Sequence, residues 1–172
     1  GDAGLTAKDN TTVTLKSAGN LNLSLLGESG GTFSFGKNST INLEAGNAIN
    51  AFRSVTTDSG STVNITAGSA NLYGGQYAPA PMTVSADTIN ITADNLSTSN
   101  NYSTTKLNAG KTLTIANKTA NTAINIGGSD ASGTMGISQT ELSQMSAPNL
   151  IIGRLDKTNS TPKTGDITVS TT

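Results

Sequence analysis

The stretch that decides the fold is Thr62-Val63-Asn64-Ile65-Thr66-Ala67-Gly68. Apolar and polar residues alternate across it, so one side faces a core and the other faces water. The same phrase returns elsewhere. It reads Thr12-Val13-Thr14-Leu15-Lys16, then Thr40-Ile41-Asn42-Leu43-Glu44-Ala45-Gly46, then Thr88-Ile89-Asn90-Ile91-Thr92-Ala93-Asp94. It reads Thr112-Leu113-Thr114-Ile115-Ala116-Asn117 next, and a late copy is Asp166-Ile167-Thr168-Val169-Ser170. Successive copies lie 28, 22, 26 and 24 residues apart, followed by a gap of 54. Met135-Gly136-Ile137 and Leu150-Ile151-Ile152 are candidates to fill that gap with weaker copies.

A strand phrase that recurs at a nearly constant period signals a solenoid, in which each period is one coil and strands of successive coils pair in parallel. The sequence therefore predicts an all-β right-handed parallel β-helix of about six to seven coils of 22–28 residues, spanning residues 1–172 as one segment. The handedness comes from the resemblance given below. Shorter strand-like pieces lie between the main copies: Leu21–Leu25, Thr32–Phe35, Met82–Val84 and Ala123–Ile126. Two loops leave the coils, near 73–81 and 155–165. Residues 139–145 are read as one helical turn or a loop. An antiparallel sandwich also gives many short strands but has no reason to repeat its own phrase.

Alternation assigns the faces. Val13, Leu15, Ile41, Leu43, Val63, Ile65, Ile89, Ile91, Leu113, Ile115, Ile167 and Val169 are expected inside, each stacked on its equivalent one coil away. Thr12, Thr40, Thr62, Thr88 and Thr112 form one outward ladder. Asn42, Asn64 and Asn90 form the next, together with Thr14, Thr114 and Thr168. Stacked amides and hydroxyls can hydrogen-bond along such an axis.

Composition narrows function. Thr, Ser, Asn and Gly make up half of the 172 residues, and only 12% are charged, for a net charge of −1. Leu, Ile, Val and Phe are about a fifth of the chain, near the border of disorder. Disorder, however, goes with high net charge, which is missing here. Without Cys there is no disulfide or thiolate site, and without His no imidazole base or ordinary zinc site. The ten basic residues are scattered, which excludes a nucleic-acid footprint. No apolar run approaches the roughly 20 residues that span a bilayer. Residues 1–30 contain no secretion leader, so an export signal is expected outside this stretch.

Several phrases resemble repeats of filamentous-haemagglutinin-like large exoproteins. They are Ser61–Gly68, Ala109–Ile115 and, most specifically, Ile137–Leu142 with Ser146–Gly153 and Gly165–Val169. The resemblance covers nearly the whole chain. It implies a right-handed β-helix passenger of two-partner secretion, exported through an outer-membrane partner to the surface of a Gram-negative bacterium, with an adhesive or scaffolding role. The Asn-Pro-Asn motifs of that family's secretion domain are not present, which marks the chain as a passenger segment.

Candidate chemistry is sparse. Asp87 and Asp94 are the closest acidic pair, but they flank opposite ends of one strand, too far apart for a shared polysaccharide-cleaving site. No metal motif and no cofactor site is recognised. A Thr array can order water, yet varying coil lengths and Lys16 and Glu44 on the same face disfavour ice binding. Nine Asn-x-Ser/Thr sequons, among them Asn64 and Asn90, follow largely from composition. Tyr73, Tyr77, Tyr102, Phe52 and Arg53 are the plausible contact groups, and the Tyr73–Pro81 loop is the candidate glycan site. The expected role is a non-catalytic adhesive rod or fibre segment, its partners being further copies stacked end to end, or surface glycans or proteins. A glycan-binding module is the alternative.

Overall fold

The computed structural model describes residues 4–23, 31–50, 53–74, 81–154 and 164–170. The protein is all-β, with 59% strand and 3% helix, and its main sheet is parallel and strongly curled.

The phrase copies stack side by side and in register. Thr12–Ser17 pairs with Thr40–Ala45, which pairs with Thr62–Thr66. That strand pairs with the second half of Met82–Thr92, which pairs with the second half of Thr105–Ala116. One file therefore runs Val13, Ile41, Val63, Ile89, Leu113, and another runs Leu15, Leu43, Ile65, Ile91, Ile115. Asn149–Ile152 closes the row, with Leu150 beside Leu113 and Ile152 beside Ile115.

A companion row precedes it in each period. Thr6–Ala7, Phe33–Phe35, Val55–Thr57, residues 82–86, residues 105–109 and Met145–Ser146 pair in parallel in that order. The two rows belong to one sheet because Met82–Thr92 and Thr105–Ala116 run through both, with a bulge between Ala86 and Thr88 that bends the strand. After the second row the chain turns again. Leu21–Asn22, Ala48–Asn50, Ser69–Asn71 and Asn95–Ser97 make a four-stranded parallel sheet.

The corners explain the rest of the phrase. Ala45, Ala67, Ala93 and Ala116 end the second row and are all buried. At Gly46 a Cβ would sit 1.9 Å from the Ala18 carbonyl oxygen of the preceding period, so the terminal glycine makes room for passing backbone. The corner between the first two rows uses left-handed backbone at Asn10, Asn38 and Gly60, with φ of 59°, 54° and 79°. Asn and Gly are the residues that adopt this conformation most readily.

Inward residues of all three rows form a single apolar cluster. Ile41, Leu43, Val63, Ile65, Ile89, Ile91, Leu113 and Ile115 are fully buried, as are Ile49, Val55, Val84 and Leu107. Each such side chain contributes roughly 1.5–3 kcal/mol from burial. Val13 and Leu15 are half-buried, since their strand has a neighbour on one side only among the described residues.

The late copy departs from expectation. Ile167 and Val169 do not stack on Leu113 and Ile115; they pair with Ile124 and Ile126 in a three-stranded sheet of Thr134–Ser138, Thr122–Gly127 and Thr164–Val169. Their side chains are 47% and 72% exposed. Thr168 likewise lies beside Asn125, not beside Thr114. The reason is occupancy. The place next to Thr112–Ile115 is taken by Asn149–Ile152, anchored where the Asn149 amide donates to the Lys111 carbonyl at 3.1 Å. Residues 164–169 come one corner later and so join the third position. Met135 and Ile137 are fully buried, but their strand pairs with Thr122–Gly127 and adds no rung to the phrase row.

Residues 139–145 contain a short helix, Gln139–Ser143. Ser138 caps it: its hydroxyl accepts from the Glu141 N–H, and the Glu141 carboxylate accepts from the Ser138 N–H at 2.8 Å.

Candidate functional site

The most regular surface feature is the outward side of the phrase row. Thr12, Thr40, Thr62, Thr88 and Thr112 occupy one file in strict register. In the next file the side chains bond to each other. The Asn90 amide donates to the Asn64 side-chain oxygen at 2.9 Å, Asn64 donates to Asn42 at 2.9 Å, and Asn42 donates to the Thr14 hydroxyl at 3.1 Å. Every donor points toward the N-terminal neighbour. A primary amide has two N–H donors and two oxygen lone pairs, so each rung keeps hydrogen-bonding capacity for water or a ligand. The bonds use the nitrogens of Asn64 and Asn90, so a glycan on either would displace a ladder donor.

A second amide ladder runs along the third row. Asn71 donates to Asn50 at 2.8 Å and Asn50 donates to Asn22 at 3.3 Å. Sequence reasoning missed it. The signal was present, because these three residues repeat at offsets of 28 and 21, nearly those of the phrase, and each follows an apolar residue or alanine.

The acids are built into corners and rungs. Asp87 forms an ion pair with Lys111 at 2.9 Å and accepts from the Gly60 N–H at 2.9 Å. The Lys111 contact, reinforced by that N–H, holds the Asp87 carboxyl below its usual range. Asp94 accepts from both the N–H and the hydroxyl of Thr119 at 2.7 Å. Lys16 pairs with Glu44 on the neighbouring rung at 2.7 Å, which raises the Lys16 ammonium. Burial pushes Asp130 up against the opposing bond from the Gly136 N–H at 2.7 Å. Burial also pushes Glu141 up, against its two Ser138 bonds and with a smaller contribution from the Asp130 charge. Among the described residues no three acids converge where a metal ion could sit.

The contact candidates separate. Tyr77 and Phe52 lie outside the described residues, as do 155–163 of the second loop. Arg53 is not a surface group: it is 5% exposed and its guanidinium donates to the Gly31 carbonyl at 3.4 Å. Tyr73 is half-buried and Tyr102 is 58% exposed. The backbone beside Tyr73 is tied to the segment that carries Tyr102. The Gly74 N–H donates to the Ser103 hydroxyl at 2.7 Å, and the Asn100 amide donates to the Gly74 carbonyl at 3.1 Å. Asn100 also accepts from the Tyr102 and Ser103 N–H groups at 2.8 Å, which fixes the turn.

The surface is indented in open grooves. One of about 790 Å³ follows the first-row corner past Lys8, Asp9, Phe35, Thr57 and Asp58. Another of about 510 Å³ lies between Asp94, Thr119 and Asp130. A third of about 370 Å³ runs between Ile151, Ile152, Arg154, Thr164 and Ile167. Beneath it the Thr164 hydroxyl donates to buried Asn117 at 2.6 Å and accepts from the Arg154 N–H at 3.0 Å. No described helix is long and apolar enough to cross a membrane.

Searches against family models, curated proteins and solved structures find no match to the chain.

Proposed function

We propose that the chain is a non-catalytic, rod-forming segment of an exported bacterial surface protein, an adhesin passenger or fibre element that holds a binding element away from the cell. The parallel rows are read as walls of a right-handed β-solenoid of about six coils, since parallel crossover connections are right-handed in nearly all proteins. At about 4.8 Å per rung, six rungs give a rod roughly 30 Å long. The observation that carries this reading is the register of five successive phrase copies, from Thr12 to Ile115, without a slip. That register lets a thin aliphatic column bury itself lengthwise, so the molecule extends by adding periods rather than by thickening. Low charge and the absence of cysteine suit passage through a secretion pore and folding outside the cell. Two-partner secretion and the Gram-negative surface rest on the resemblance of the Ser61–Gly68 and Ser146–Gly153 phrases. Small-angle X-ray scattering of the purified chain tests the shape. A rod cross-section with uniform mass per length is expected; the profile of a compact globule would overturn the proposal.

The tie between the Tyr73 and Tyr102 segments supports a second reading, a glycan-contact site made by aromatic rings on neighbouring loops. Glycan-array binding lost in both Tyr102→Ala and Tyr77→Ala would favour it; absence of binding by the unaltered chain would remove it.

A further inference from the structure

Wherever one phrase strand meets another in this molecule, the inward aliphatic residues lie on one another. The last strand of the row, Asn149–Ile152, departs from that state on its outer side. Its inner side seats Thr112-Leu113-Thr114-Ile115 in register, while its far edge has no strand beside it among the described residues. Leu150 and Ile151 are 45% and 48% exposed. Ile167 and Val169 on Thr164–Val169 are 47% and 72% exposed, and that strand too has a partner on one side only among the described residues. The groove of about 370 Å³ between Ile151, Ile152 and Ile167 joins the two strands into one aliphatic surface. At the opposite extreme of the rows, Thr12–Ser17 and Leu21–Asn22 also have one neighbour each among the described residues, and Val13, Leu15 and Leu21 are half-buried.

We infer that the Asn149–Ile152 and Thr164–Val169 edge is a docking surface for the Thr12–Ser17 and Leu21–Asn22 edge of a second copy of the chain, which joins copies head to tail. The molecule's own packing identifies the occupant. Asn149–Ile152 already accepts a strand of pattern Thr-Leu-Thr-Ile, and the edge strand of a second copy presents Thr12-Val13-Thr14-Leu15, the same alternation. Placed in the same register, Val13 covers Leu150, Leu15 covers Ile152, and Leu21 is carried toward Ile167. Strand direction fixes the polarity. The rows are parallel throughout, so a copy in head-to-tail orientation continues the phrase row in parallel, whereas two like edges brought together would meet through a two-fold axis. A heterologous contact of this kind leaves a fresh edge at each end and extends without closing.

This inference rests on the rod reading, and the test separates the two. Sedimentation velocity and small-angle scattering are run on the whole chain over a hundredfold concentration range. Alongside it run Val169→Lys with Ile167→Lys, which place charges on exposed positions of one edge, and Val13→Lys, which places an inward charge on the other. The unaltered chain is expected to form rods of increasing length at constant cross-section. Each variant alone is expected to stay monomeric with an unchanged far-UV circular dichroism spectrum, and an equimolar mixture of the two is expected to stop at a dimer, because each retains one competent edge. An unaltered chain that remains a single short rod at every concentration would overturn the docking proposal and leave the rod intact, pointing to another strand-bearing segment as the natural cover. Lengthening that persists in the Val169→Lys, Ile167→Lys chain would also overturn it. A globular monomer profile would instead bring down the rod reading itself.

Discussion

Residues 12–116 and residues 117–170 are written in the same vocabulary and assembled differently. In the first region, every copy of the phrase lands beside the previous one, and the amide ladder from Asn90 to Thr14 records the alignment. In the second, Thr122–Gly127, Thr134–Ser138 and Thr164–Val169 form their own sheet, out of chain order, and Ile167 and Val169 stay open to solvent. The difference shows that the phrase specifies a strand and its inner face, while the strands already in place decide which row it joins. Near-constant spacing returns the chain to the same row. Thr134–Ser138 and the capped helix Gln139–Ser143 are inserted between passes, after which Met145–Ser146 and Asn149–Ile152 rejoin the first two rows and leave Thr164–Val169 to the third position.

The sharpest way to break this comparison is to delete equivalent volume in both regions. Ile65→Ala is expected to cost about 2–5 kcal/mol, because a fully enclosed side chain leaves a cavity between rungs. Ile167→Ala, at a half-exposed edge, is expected to stay within about 0.5 kcal/mol. Urea unfolding followed by circular dichroism measures both, and equal losses would deny that the two regions differ. Next in size is the amide ladder. Asn64→Ala removes a donor to Asn42 and an acceptor for Asn90, with an expected loss of about 1–2 kcal/mol at roughly 0.5–1.5 kcal/mol per bond. Asn125→Ala, which removes a single acceptor for the Ser170 hydroxyl, is expected to cost less by the same assay.

Two smaller effects sharpen the comparison through pH, with opposite signs. Glu141, in the second region, has its folded pKa raised by burial. Its contribution is fully present below the unfolded value and is lost as pH rises through the raised folded value. Glu141→Gln keeps an acceptor for Ser138 and is expected to flatten that loss between acid and neutral pH in thermal melts. Asp87, in the first region, has its folded pKa lowered by Lys111 and the Gly60 N–H. Its contribution is present above the ordinary carboxylate range and is lost as pH falls through the depressed value. Asp87→Asn is expected to be slightly less stable than the unaltered chain at neutral pH. That difference should shrink with added salt and vanish in strong acid.

Much of the first region was legible in the residues. The alternation of Ile41, Leu43, Val63 and Ile65 with polar neighbours gave both strand and face, and the recurrence of Thr-x-Asn gave the outer files. The Ala-Gly ending was visible as punctuation, but its cause, the Ala18 carbonyl against Gly46, required the neighbouring period. Row membership in the second region was not legible. Nothing local to Asp166-Ile167-Thr168-Val169 tells that Asn149–Ile152 has already filled the slot beside Leu113. The burial of Arg53 was not legible for a similar reason, since the carbonyl its guanidinium meets, Gly31, lies 22 residues away in the chain. The Asn22, Asn50, Asn71 ladder was legible in the bare period, although it lies outside the Thr-x-Asn phrase.

The claim beneath all of this is the register itself, and the absence of native cysteine allows a direct measurement of it. Thr62 and Thr88 are register partners on adjacent parallel strands, about 4.8 Å apart, within the Cα separation that a disulfide spans. Thr62 and Thr92 are offset by four further residues, roughly 13 Å along the strand. Mild oxidation of Thr62→Cys with Thr88→Cys is expected to give an intramolecular disulfide in nearly every chain, and Thr62→Cys with Thr92→Cys to give almost none. Equal oxidation of the two pairs, or bridging of the second alone, would contradict the stacked, in-register arrangement.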